Sequence, residues 1–296
     1  MAGMLSGIDH FVIAVRDLDA ARENYARMGF ALTPRGHHTV GSENHCAIFG
    51  NGYLELLALS RPNPVTAYFS RFLEQGDGAA AMVVATGDAQ ALFEQWRAAG
   101  LPAEAPLSFS RPVSGSGGDA LARFRITQLD ATYTPGGLVF ACEHLTPELV
   151  YRPEQSVHPN GTIGLAAVTI SIPAAQLNVA AHRYARVLSS SAAVLDDTDR
   201  LIQCGDVEVR LEAIACDGAS RRLPCIAGLT LMVESLDLLS NTLRATGIAA
   251  ERSDGALSID NEFAHGITLR FIECDPARCG APQPSTLGPS SRHPFS

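Results

Sequence analysis

The chain has 296 residues, of which 46% are hydrophobic and 18% charged, with a net charge of -9. That length fills more than one core, so two domains are expected. The acidic balance, with Arg221-Arg222 the densest basic pair, argues against a nucleic-acid surface, and no run approaches the roughly 18 apolar residues of a membrane span.

The segment Met1–Ser6 lacks a basic region followed by an apolar core, which predicts no signal peptide. Most of the seven cysteines sit singly in apolar runs, the pattern of reduced, buried thiols, so the expected compartment is the cytoplasm. Cys274 and Cys279 form the one close pair, read as a local bridge, a metal pair or two surface thiols, with the last favoured.

In chain order the sequence reads as a weak fourfold repeat. Unit one has a strand over 8–15, a helix over 19–28 capped by Asp17 or Asp19, and strands near 31–34, 45–49 and 53–59. Unit two opens at 80–86 and carries a helix from Asp88 to Ala99 that ends at Gly100-Leu101, as Gly29-Phe30 ends the first. Strands near 123–130 and 138–144 finish it. Unit three opens at 163–172, its helix carrying Tyr184-Ala185-Arg186 as an echo of Tyr25-Ala26-Arg27. Unit four opens at 228–233 and closes with strands at 256–259 and 266–273.

The order is β-α-β-β-β, four times, in an α+β fold. One unit alone leaves a sheet edge and an apolar face open, so pairing of units is expected. Four modules then give two incompletely closed, eight-stranded, barrel-like domains. Their expected bounds are 1–150 and 163–275, joined by a linker at 151–162 and followed by an irregular tail at 276–296. A homodimer is an open expectation, since paired sheets are completed within one chain or between two.

Two polar residues stand out in apolar strands: His10 in Ile8-Asp9-His10-Phe11-Val12 and Glu55 in Tyr53-Leu54-Glu55-Leu56. A carboxylate in such a strand needs a partner, which predicts a polar pocket. With the paired units, these stretches resemble the vicinal-oxygen-chelate superfamily, and within it the glyoxalase-like proteins. The His158-Pro159-Asn160-Gly161 link is also similar to those relatives.

The resemblance implies a concave face that holds a divalent metal (Zn, Mn, Ni or Fe(II)) against two adjacent oxygens of a small molecule. It places His10 and Glu55 at ligand positions of the first and last strands of unit one. In unit two Ala81 falls opposite His10, so the second imidazole is absent. Strict alignment puts Phe140 opposite Glu55, and Glu143 reaches the ligand position only after a shift. Glu143 and His144 point to opposite faces, and Glu143 is the preferred candidate. His45 is the substitute imidazole. The expected metal set is therefore His10, Glu55, Glu143 and His45, with Glu55 and Glu143 as the catalytic carboxylates.

The implied function is a metal-dependent lyase or isomerase that polarises a carbonyl or stabilises an enediolate of a small oxygenated metabolite. The alternatives are a metal-free small-molecule binder, an extradiol-type dioxygenase, and a metal-free enzyme with Glu55 as general base. No nucleotide loop is present. His37-His38 reads as two solvated loop histidines, His158 as a tie between linker and first domain, and Gly115-Ser116-Gly117-Gly118 as a flap beside the cavity.

Overall fold

A computed structural model describes residues 4–61, 63–113, 120–215 and 223–274. The Gly115–Gly118 run, Arg221-Arg222, Cys279 and the tail from 276 lie outside the described residues.

Unit one comprises β1 (Leu5–Ala14), α1 (Leu18–Arg27), β2 (Gly36–His37), β3 (Ser42–Phe49) and β4 (Gly52–Leu59). Helix α2 (Ala67–Leu73) leads to unit two, made of β5 (Gly78–Thr86), α3 (Ala89–Ala98), β6 (Leu107–Val113), β7 (Ala120–Gln128) and β8 (Leu138–His144). Unit three is β9 (Thr162–Pro173), α4 (Leu177–Val187), β10 (Ala192–Val194), β11 (Asp199–Cys204) and β12 (Val207–Ile214). Unit four is β13 (Cys225–Val233), α5 (Leu236–Ala245), β14 (Glu251–Ser253), β15 (Ala256–Ile259) and β16 (Thr268–Glu273). The strand expected near 31–34 forms instead at 36–37, and residues 31–35 run as irregular chain.

Local chemistry explains why the same helix recurs. Asp17 caps α1 by accepting from the Ala20 amide at 2.9 Å, and Asp88 caps α3 by accepting from Gln90 and Ala91. At the other end Gly29, Gly100 and Gly247 take positive φ, and the residue after each donates back into the last turn: Phe30 to Tyr25, Leu101 to Trp96 and Ile248 to Leu243. Each helix thus ends at a fixed angle and feeds the next strand.

Within every unit the first and last strands pair in parallel, and units join through antiparallel first strands, β1 with β5 and β9 with β13. The strand order is β2-β3-β4-β1-β5-β8-β7-β6 in the first half and β10-β11-β12-β9-β13-β16-β15-β14 in the second. One bridge, Ile226 to Ala79, links them into a single large, mixed, incompletely closed sheet. In the first half the open ends approach each other where the Thr39 amide donates to the Ser110 carbonyl at 3.0 Å.

Side-chain alternation divides the interior in two. Phe11, Ile13, Leu54 and Leu56 face the helices and join a core that runs on to Phe271. Val12, Tyr53, Cys46, Phe124 and Phe140 face the concave side and form a smaller cluster. His158 clips the linker to unit one. Its Nδ1 accepts from the Ala31 amide at 3.0 Å, so Nε2 carries the proton and donates to the Ile48 carbonyl at 2.8 Å.

Candidate functional site

The concave side of the first half encloses a cavity of about 350 Å³, walled by β1, β3, β4 and β6–β8. His10 and Glu55 both line it, and both are nearly fully buried. His10 stands opposite Tyr53 in the β1–β4 ladder, so Glu55, two residues beyond Tyr53, falls on the same face. The His10 Nε2 atom lies 3.6 Å from Glu55 Oε2, beyond hydrogen-bond reach.

A β-bulge sets the orientation of His10. Ile8 pairs with Val84 and His10 with Val83, leaving Asp9 as an extra residue. Ile8 and Phe11 both join the helix-side core, so Asp9 and His10 turn together toward the concave side. Asp9 Oδ2 then sits 2.5 Å from His10 Nδ1. The ring of His10 stacks on Tyr53 at 4.2 Å between centroids, and Phe140 meets it edge-on.

Asp9 gathers two further donors. His144 Nε2 lies 3.0 Å from both its oxygens, and the Tyr151 hydroxyl donates at 2.6 Å. Burial by itself raises the Asp9 carboxyl. The charge of His144 and hydrogen bonds from His10 and His144 more than offset that, holding it well below the usual carboxylate range. His144 moves the opposite way: burial lowers it, but the Asp9 charge and hydrogen bond hold it well above 6.5. Burial, reinforced by Asp9, also raises the Tyr151 phenol, which stays a donor. Asp9 is therefore an ionised acceptor. Its bond from His10 must come from an Nδ1–H, which in the neutral ring leaves Nε2 with the lone pair.

Asn44 and His38 surround Glu55. Asn44 Nδ2 donates to Glu55 Oε1 at 2.5 Å, and His38 Nε2 lies 3.9 Å from the same oxygen. His38 Nδ1 meets Ser42 Oγ at 2.9 Å, and burial pushes the imidazole down to about 4. This corrects the reading of His37-His38 as a solvated pair: only His37 is exposed, and His38 lines the cavity.

The two remaining candidates for the metal set fall elsewhere. Glu143 projects to the helix side, where its carboxylate accepts from the Ala89 amide at 3.0 Å in the first turn of α3 and faces Arg125 at 3.6 Å. Strand parity is the reason, since Cys142 and His144 take the concave face. His45 pairs with Leu56 and shares its helix-side orientation, with Nδ1 bonded to the Thr33 carbonyl at 2.7 Å. His10 and Glu55 are thus brought together, and Glu143 and His45 are not.

The ladder registers also fix the counterparts in unit two. Val12 pairs with Ala81 and His10 with Val83, which the two-unit symmetry interchanges only if Ala81 corresponds to His10. Tyr53 beside His10 then matches Leu138 beside Ala81, and Glu55 matches Phe140. The metal positions implied by the resemblance therefore hold one imidazole, one carboxylate, a methyl group and a phenyl ring. Asp9, Cys142 and His144 form a candidate metal-binding cluster, with one ligand-type atom each, all within 4.8 Å of one another. Its carboxylate already accepts from three donors, one of them the cluster's own His144. The residues at neither place fit a divalent centre. They fit a network that holds protons.

Asp9, Asn44 and Tyr151 were not among the sequence candidates, while His144 was passed over for Glu143 and His38 was read as solvated. Parity counted from Phe140 would have found His144. The bulge that admits Asp9 leaves no sequence signature.

The comparisons agree with this architecture. A family model described as a glyoxalase-like domain matches residues 8–188, through both units of the first half and into α4. No curated protein sequence matches the chain. A hypothetical protein from Staphylococcus aureus superposes with a TM-score of 0.68 at 12% identity, over 90% of this chain and 99% of that one. A 4-hydroxymandelate synthase mutant from Streptomyces coelicolor gives 0.65 at 13% identity, over 92% and 93%. A xylose isomerase-like TIM barrel/4-hydroxyphenylpyruvate dioxygenase fusion protein gives 0.64 at 15% identity, over 95% of this chain and 51% of its own. At these identities the solved structures share a fold. With the family model spanning more than half the sequence, the chain belongs to the glyoxalase-like domain family.

Proposed function

We propose that this protein is a small-molecule isomerase or lyase whose working base is His10. One observation carries the reading: His10 Nδ1 is held by ionised Asp9 at 2.5 Å, while Nε2 faces the cavity 3.6 Å from Glu55 Oε2. Asp9 fixes the ring and its tautomer and favours the imidazolium that forms when Nε2 accepts a proton. A carbon-bound proton of the ligand passes to Nε2, and the same imidazolium returns it at a neighbouring atom, with the Glu55 carboxylate 3.6 Å away facing the imidazolium as it forms. The aromatic walls and the buried position keep bulk water from the reacting atoms.

The sequence suggested a metal-dependent version of this chemistry. Ala81 and Phe140 at the counterpart positions favour the proton-transfer version and leave the second ligand position of an extradiol-type site without an imidazole. The same apolar replacements support a second reading, a binding protein that holds its ligand without turning it over.

Incubation with a cell metabolite extract in D2O, followed by mass spectrometry, separates the two. Wild type is expected to introduce one deuterium into a specific metabolite, and His10→Gln to abolish the exchange. A ligand that is retained on the protein but never exchanges supports the binder.

A further inference from the structure

Arg111 is the residue of this cavity that neither the fold nor the His10 network accounts for. It lies on β6 two residues beyond Phe109, so both project to the concave face. It is 7% exposed. Among the described residues its guanidinium makes no hydrogen bond and no ion pair. The two carboxylates of the cavity are engaged elsewhere: Glu55 accepts from Asn44, and Glu104 at the rim accepts from Gln128 at 2.6 Å.

A guanidinium taken from water without a counter-charge costs several kcal/mol, so an unpaired buried arginine calls for a role. Room has been kept for it. A Cβ at Gly36 would collide with Asn44 Oδ1 and come within 3.1 Å of Arg111 Cδ, so only glycine lets the side chain pass there. Beyond Arg111 the walls turn apolar. Phe109 and Phe124 stack at 5.1 Å, and Phe140, Leu107 and Ile126 continue the lining. The cavity therefore offers a planar cation beside an apolar, aromatic slot, and its volume suits a small ligand.

We infer that Arg111 anchors the carboxylate of a small acid whose apolar body lies against Phe109 and Phe124. The bidentate geometry of a guanidinium selects a carboxylate over a neutral group. This inference rests on the same cavity as the proposed function and names the class of molecule that enters it, but not the proton transfer.

Calorimetric titration with phenylacetate and its neutral isostere phenylacetamide tests it. Wild type is expected to bind phenylacetate at least about tenfold more tightly than the amide, the effect of one charge-assisted contact. Arg111→Met is expected to erase that preference while still binding the amide. Arg111→Lys is expected to keep part of it. His10→Gln is expected to keep all of it, so loss of exchange without loss of preference separates failure of the base from failure of the anchor. Equal affinity of wild type for the two probes, no saturable binding of phenylacetate at millimolar concentration, or a preference that survives in Arg111→Met would overturn the inference. Circular dichroism of Arg111→Met and Arg111→Lys shows that each is folded, and Arg111→Lys supplies the reading if Arg111→Met is not.

Discussion

Phe140 occupies in the second unit the place that Glu55 holds in the first, each two residues beyond the partner of its unit's first-strand position. Together with Ala81 at the counterpart position of His10, it turns half of a four-ligand arrangement into hydrocarbon. The remaining pair is bound into protein hydrogen bonds through Asp9 and Asn44.

Metal content follows from this. Protein purified without a histidine tag is expected to hold well under one equivalent of divalent metal by elemental analysis, and prolonged dialysis against EDTA should leave its exchange activity unchanged. Restoring the missing donors with Ala81→His plus Phe140→Glu is expected to create zinc binding that wild type lacks. Stoichiometric metal in wild type, lost together with activity on chelation, would contradict the account.

Acid sensitivity is set in part by His38. Its folded value of about 4 lies below the ordinary 6.5 because burial disfavours the cation. The unfolded chain therefore binds the extra proton first. The contribution of neutral His38 is complete above about 6.5 and declines as the pH falls toward 4, a loss of about 3 kcal/mol. Urea midpoints measured from pH 7 to pH 4 should fall along this window in wild type and more shallowly in His38→Gln. The Asp9–His144 pair acts outside it. Asp9, held low, loses its contribution only as pH falls below the normal carboxylate range. His144, held high, loses its contribution as pH rises well past neutrality.

Glu143 supplies a control, because it accepts from the first amide of α3 on the far side of the sheet. Glu143→Gln is expected to cost up to about 1 kcal/mol in urea unfolding and to leave exchange activity at the wild-type level. A drop in activity without a drop in stability would return Glu143 to the site.

Much of this was legible in the sequence. The glycines that end α1 and α3 gave away the repeat, and the family resemblance put His10 and Glu55 at one site, which the parallel pairing of β1 and β4 brings about. The rest depended on parity and on breaks in parity. Counting from Phe140 puts His144 inside and Glu143 outside, and counting from Glu55 across the ladder puts Cys46 inside and His45 outside. The bulge at Asp9 breaks the alternation, so a residue that periodicity assigns to the helix side becomes the hub of the site. His38 reaches the cavity from the residue after β2 and Arg111 from β6, where the pairing is set by the closing of the sheet.

The tautomer of His10 tests the central claim most directly. Long-range proton–nitrogen NMR of histidine-labelled protein, with the His10 signals assigned by their loss in His10→Gln, reads which ring nitrogen carries the proton in the neutral form. A protonated Nδ1 and a bare Nε2, with that preference lost in Asp9→Asn, is the expected result. A proton resident on Nε2, or a ring indifferent to Asp9→Asn, would contradict the assignment of His10 as an oriented base.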